Sequence, residues 1–151
     1  MVSKRKITLC GIVVSLVIFF ATLASINAAD TTEQIVNQID EVLKANPFPA
    51  GEKIQRIKVA EDNTATVLVL RLAAGAETKA HFHKTHNEIV YFVKGIGQIL
   101  INDKWVDFNA GALHFNPMGK VHNVKNTGSE MGVAIVIFTP AIKEPDFHLV
   151  Q

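Results

Sequence analysis

From residue 66 onward the apolar residues come in runs of only three to seven, each closed within a few positions by Gly, Pro or Asn. Runs this short cannot sustain helical periodicity over several turns. Their β-branched content and frequent turn residues predict strands instead. Residues 66–72 form one such run and residues 88–93 another. Residues 97–101 and 105–108 flank Asn102, Asp103 and Lys104, a short hairpin connection. Further strands are predicted at residues 113–115, 121–124 and 133–138, the last a continuous apolar segment of the kind buried on both faces. The fold class expected is all-β, a sandwich or barrel.

The first half of the chain reads differently. Lys4, Arg5 and Lys6 precede an apolar run from Ile7 to about Leu23, then small and polar residues through Ala28 and Ala29. A basic head, an apolar middle and a small-residue exit predict a secretory signal over residues 1–28, hence an exported protein, periplasmic or secreted. The alternative is an uncleaved anchor, although a spanning helix wants ~20 apolar residues. Membrane contact is expected only through this segment. Asp30 or Thr31 is a candidate helix cap, with Ile35, Ile39, Val42 and Leu43 on one face and Asn46-Pro47 as the stop. Residues 29–50 are therefore a helix and linker, and residues 51–151 the β domain.

Charge narrows the partners. The chain carries 15 basic and 14 acidic residues; loss of the three in the leader leaves 12 basic against 14 acidic, a net charge of −2. That balance argues against nucleic acid. The single cysteine, Cys10, lies in the leader, so a processed chain has no thiol and must be held by its core. No nucleophilic Ser or Cys arrangement and no phosphate-cradling glycine loop is present.

The histidines carry the chemical signal. His81 and His83 are two apart, and alternate side chains of a strand share a face. Both imidazoles can therefore reach one ion, with Glu88 returning on the next strand and His122 arriving from a distant one. Three nitrogens and one carboxylate suit a divalent transition metal. The competing reading of His-x-His is an exposed strand that happens to hold two histidines.

The surrounding spacing favours the metal. Gly75, five residues, His81-x-His83, four residues, Glu88, six residues and Gly95 form one string. Gly111, five residues, Pro117-x-Gly119, two residues, His122, three residues and Asn126 form a second, fifteen residues after the first. Together they resemble the paired motifs of small single-domain cupins, over roughly residues 64–140. Ala112 departs from the pattern, where many cupins carry an acid that serves a turn. The resemblance implies a cupin-type jelly-roll β-barrel with the metal inside it. It implies His81, His83, Glu88 and His122 as ligands, and pairing of barrels into homodimers, to which the tail at residues 141–151 could contribute.

Other residues are weaker candidates. Val90 and Phe92 share the face of Glu88 and are expected to line an apolar cavity; His114 is a further cavity candidate. His86 is expected at the solvated rim, His148 in a polar tail without a catalytic role, and Tyr91 and Phe82 facing away from the metal. Arg71 is expected in a surface ion pair, with an anionic substrate as its alternative partner. No catalytic residue is assigned. The resemblance favours a dioxygenase-type oxidoreductase acting on a small molecule. Iron or manganese suits that chemistry, with nickel, copper and zinc as the other candidates. An isomerase, lyase or decarboxylase, a non-catalytic small-ligand binder, and a protein with a saturated structural zinc remain open.

Overall fold

The computed structural model describes residues 35–150. The predicted leader, Cys10 and the Asp30/Thr31 cap lie outside the described residues. One helix, α1 (Ile39–Ala45), precedes ten strands. These are β1 (Ile54–Glu61), β2 (Thr66–Leu72), β3 (His81–Phe82), β4 (Asn87–Lys94), β5 (Ile96–Ile101), β6 (Lys104–Asn109), β7 (Leu113–Asn116), β8 (His122–Asn126), β9 (Gly132–Thr139) and β10 (His148–Leu149). They form two five-stranded antiparallel sheets, ordered β1-β2-β9-β4-β7 and β10-β3-β8-β5-β6.

The helix is shorter than the periodicity predicts. Ile35 and Val36 are 53% and 85% exposed and precede it in non-helical backbone. Short helices in water depend on packing of their apolar stripe; Ile39, Val42 and Leu43 are half-buried, whereas Ile35 and Val36 are not. Asn46 ends it, its backbone and side-chain N–H groups both donating to the Val42 carbonyl. The loop that follows is fastened by Arg71. Its guanidinium donates to the Asn46 carbonyl and to Gln55 Oε1, each at 3.0 Å, and lies 5.0 Å from the centre of the Phe48 ring. Arg71 therefore serves this anchorage and not the expected surface ion pair.

Strand alternation builds the core. Leu68, Leu70 and Leu72 of β2 face inward, as do Val90 and Phe92 of β4 and Ala134, Val136 and Phe138 of β9. The opposite sheet contributes Ile99, Phe108 and Val124. The predicted hairpin joins β5 to β6 through Asn102 and Asp103, both with positive φ (46° and 64°), as a tight two-residue turn requires. Gly97 is required by contact: a Cβ there would lie 2.2 Å from the Lys125 carbonyl and 2.6 Å from the Phe108 ring. Asn126, 1% exposed, closes the end of β8 by donating to the carbonyls of Leu72, Ala73 and Glu130. Strands β1 and β10 were not anticipated. The first interleaves charges with apolar residues at a sheet edge, and the second has only two residues.

Candidate metal centre

The histidine cluster sits where the two sheets meet. His81 lies on β3 directly opposite His122 of β8. His83 follows β3 on the same face, while Phe82 between them points the other way and stacks on His148. Glu88 comes from the other sheet, on β4, opposite Asn116 of β7 and Phe138 of β9. The turn before His122 is pinned to the His-x-His segment by a Gly119 N–H donated to the His83 carbonyl at 2.6 Å. Gly119 permits that turn with φ +77°.

All four side chains are buried: His81 4% exposed, His83 5%, Glu88 8% and His122 1%. One ring nitrogen from each of the three histidines can be chosen so that all lie within 4.8 Å of one another. Glu88 Oε2 is 2.7 Å from His122 Nε2 and 4.0 Å from His83 Nε2. The sequence-predicted set is therefore brought together.

The hydrogen bonds fix which nitrogens face the centre. Nδ1 of His81 meets the Lys79 carbonyl at 2.8 Å, Nδ1 of His83 the Asp146 carbonyl at 2.5 Å, and Nδ1 of His122 the Lys120 carbonyl at 3.1 Å. A carbonyl only accepts, so Nδ1 of His81 and of His83 carries the proton and their Nε2 atoms present lone pairs. At His122 the Asn116 amide nitrogen lies closer to Nδ1, at 2.7 Å, than the Lys120 carbonyl does, and a donor there calls for a lone pair on Nδ1. His83 Nε2 and Glu88 Oε2 have no hydrogen-bond partner. Glu88 Oε2 and His122 Nε2 are 2.7 Å apart and share one cation, either a proton on the ring or a metal ion.

Electrostatics agree with a donor set. Burial, then repulsion from His122, pushes His81 down to about 4. Burial also lowers His83. Both rings are thus neutral at neutral pH and free to coordinate. Burial alone would raise Glu88, but the contact with His122 reverses this and leaves its carboxyl below the usual range, hence ionised.

Some predicted residues stand elsewhere. Val90 and Phe92 face inward with Glu88, yet they belong to the core, where Phe92 stacks on Phe108 at 3.7 Å. The cavity beside the histidines, about 40 Å³, is walled instead by Leu68, Leu70, Val136, Phe138, Phe147 and Arg56. His114 is buried, but it lines a separate pocket with Leu100, Ile101 and Asn116, its ring 6.5 Å from that of His122. His86 is not at a solvated rim. It is 2% exposed because residues 84–87 fold back on Phe138 and on Asp146, which lies 3.3 Å from His86 Nδ1. Tyr91 is 45% exposed, facing away from the centre as expected.

The sequence reading missed the strap at residues 145–150. The Asp146 carboxylate accepts the N–H groups of Lys84 (2.9 Å) and Thr85 (2.8 Å), the Thr85 hydroxyl (2.7 Å) and His148 Nε2 (2.8 Å). Those bonds outweigh the effect of burial and hold it below the ordinary carboxylate range. Phe147 stacks on His81 at 3.9 Å. His148 belongs to this strap, on β10 beside β3, and not to a loose tail. His83, His86 and Asp146 also cluster closely enough to suggest a cation, but the Asp146 oxygens are already committed to the loop. Arg56 was missed because nothing local in β1 marks it.

Two facing antiparallel sheets with three histidines and a glutamate between them define a jelly-roll protein with a candidate metal centre. Residues 68–138 match the family model described as "Cupin domain", so this part of the chain is a cupin domain. The chain is 32% identical over 124 aligned residues to a glucose-6-phosphate isomerase of Thermococcus onnurineus (strain NA1), covering 74% of this chain and 65% of that relative. Slightly less than two thirds of the relative's length thus has a counterpart here. Among solved structures, an uncharacterized conserved protein with a double-stranded beta-helix domain from Klebsiella pneumoniae subsp. pneumoniae MGH 78578 superposes with TM-score 0.67 at 21% identity, over 78% of this chain and all of that one. A predicted oxalate decarboxylase from Thermotoga maritima superposes with TM-score 0.55 at 22% identity, over 58% of this chain and 80% of that one. At such identities the structural likenesses establish the fold alone.

Proposed function

We propose that the protein is a metal-dependent enzyme acting on a small molecule, with a single divalent transition ion held by His81, His83, Glu88 and His122. The observation that carries this reading is the arrangement of lone pairs. Nδ1–H of His81 and of His83 is spent on a backbone carbonyl, so that their neutral Nε2 atoms, the His122 ring and the ionised Glu88 carboxylate turn to one buried point. A structural cluster without a cation would leave His83 Nε2 and Glu88 Oε2 buried and unpartnered, each at a cost of about 1–3 kcal/mol. When bound, the ion would supply Lewis-acid polarisation of substrate oxygens or one-electron chemistry with dioxygen.

The protein's own side chains do the rest. Backbone carbonyls of residues 79, 120 and 146 hold the rings in register. The apolar walls exclude water beside the centre, and Phe147 covers His81. A largely apolar-walled cavity beside a set of three nitrogens and one carboxylate supports a dioxygenase-type oxidation, with iron or manganese as the metal. A second reading, isomerisation of a sugar phosphate, is favoured by the named activity of the Thermococcus relative. The basic and then apolar sequence of residues 1–28, read as a secretory leader, supports an exported location for either activity.

The test is turnover by protein loaded with Fe(II) or Mn(II) on a panel of sugars, sugar phosphates, phenols and small acids. Oxygen uptake matched by product, and lost in His83→Ala, is expected. Oxygen-independent aldose–ketose interconversion would select the isomerase. Tight binding of a panel member with no turnover would contradict both.

A further inference from the structure

One cation in the cavity, Arg56, has no hydrogen-bonded partner among the described residues. Pairing of β1 with β2 sets Arg56 opposite Leu70, whose side chain faces the core. Arg56 is thereby directed to the inner side of the sheet, where it lines the cavity with His81, His83 and Glu88. It remains open to solvent at the mouth. Its guanidinium lies 6.0 Å from the centre of the Phe147 ring. Among the described residues no carboxylate stands within 4.0 Å of it and no hydrogen bond engages it. The one carboxylate whose charge reaches it across the cavity, Glu88, is taken up by the metal in the proposed function, which leaves the guanidinium donors without a bonded anion.

Building on the metal-centre reading above, we propose that Arg56 anchors the carboxylate of a small organic acid at the mouth of the histidine cavity. The guanidinium fork matches the two oxygens of one carboxylate. Phosphate fits less well. Leu68, Leu70, Val136, Phe138 and Phe147 offer no side-chain donor, so oxygens of a tetrahedral anion beyond those on Arg56 and the ion would face hydrocarbon. The cavity of about 40 Å³ accepts the head of such an acid and leaves its remainder at the mouth.

The experiment titrates acetate, glycolate, inorganic phosphate and glucose, at constant ionic strength, into wild type, Arg56→Met and Arg56→Lys. Each is examined metal-free and Mn(II)-loaded, with metal content measured by elemental analysis and folding checked by thermal melting. Acetate and glycolate are expected to bind wild type, at least tenfold more weakly to Arg56→Met, and with intermediate affinity to Arg56→Lys, at unchanged metal content. Equal carboxylate affinity in wild type and Arg56→Met overturns the proposal. So does tighter binding of phosphate than of glycolate, or failure of wild type to bind either acid. If wild type takes up no metal yet binds acetate through Arg56, the metal-centre reading fails while the anchor stands. Should Arg56→Met not fold, Arg56→Lys and Arg56→Gln supply the same comparison.

Discussion

Replacing Asp146 by alanine removes the knot that ties the strap to the β3–β4 loop. Its carboxylate receives two backbone N–H groups, one hydroxyl and one imidazole, all between 2.7 and 2.9 Å. Hydrogen bonds to a charged acceptor contribute about 1.5–3 kcal/mol each when the donors stay buried. Lys84 and Thr85 are exposed, so water re-engages their amides and the net loss falls to about 2–4 kcal/mol in all. For a domain of this size that lowers the melting temperature by roughly 10 °C. The same backbone holds His83 Nδ1 through the Asp146 carbonyl and places Phe147 on His81. Loss of an outer hydrogen-bonding shell typically weakens metal binding by about 10–100-fold. Thermal melting of the metal-free protein and a competitive metal titration measure the two effects. Asp146→Asn keeps one acceptor oxygen and is expected to fall midway. If Asp146→Ala melts within 2–3 °C of wild type and binds metal equally, on the order of the scatter expected for an inert surface change, the strap neither supports the fold nor orients His83.

Acid weakens the metal-free protein for a separate reason. The folded state keeps His81 neutral down to about 4, whereas the unfolded chain protonates it near its ordinary value of about 6.5. Stability is therefore unaffected above that value and falls between about pH 6.5 and 4, by roughly 2 kcal/mol after solvent screening; equal urea midpoints at pH 7.5 and 4.5 would contradict this. Elemental analysis should show metal lost from His83→Ala and His122→Ala and retained by His148→Ala, whose ring does not reach the centre. Gly97→Ala drives a Cβ into the Lys125 carbonyl and is expected to cost about 2–4 kcal/mol by chemical denaturation. Gly75→Ala meets nothing within 4 Å and should cost only about 1–2 kcal/mol, from its positive φ.

The sequence was most legible where chemistry is written locally. His81, His83 and Glu88 lie within eight residues, and strand alternation alone puts the two imidazoles on one face. His122 was reachable only through the second motif, because its pairing with His81 spans forty-one positions. The strap escaped notice for the same physical reason: Asp146 meets Lys84 and Thr85 across more than sixty residues. Burial of His86 depends on that distant contact, so a loop that reads as solvated is in fact covered. Val90 and Phe92 show the reverse limit. Alternation gave their face correctly, but not their depth along the barrel, and the cavity walls came from β2 and β9 instead. Helical periodicity likewise extended α1 into Ile35, which lies half exposed in the non-helical backbone before it.

The decisive measurement is an anomalous-scattering map at the metal's absorption edge, from crystals of protein purified with its native ion. One peak is predicted, bonded at about 2.0–2.2 Å to Nε2 of His81, His83 and His122 and to a Glu88 oxygen. No peak there, or a peak seated between His86 and Asp146 instead, would contradict the assignment.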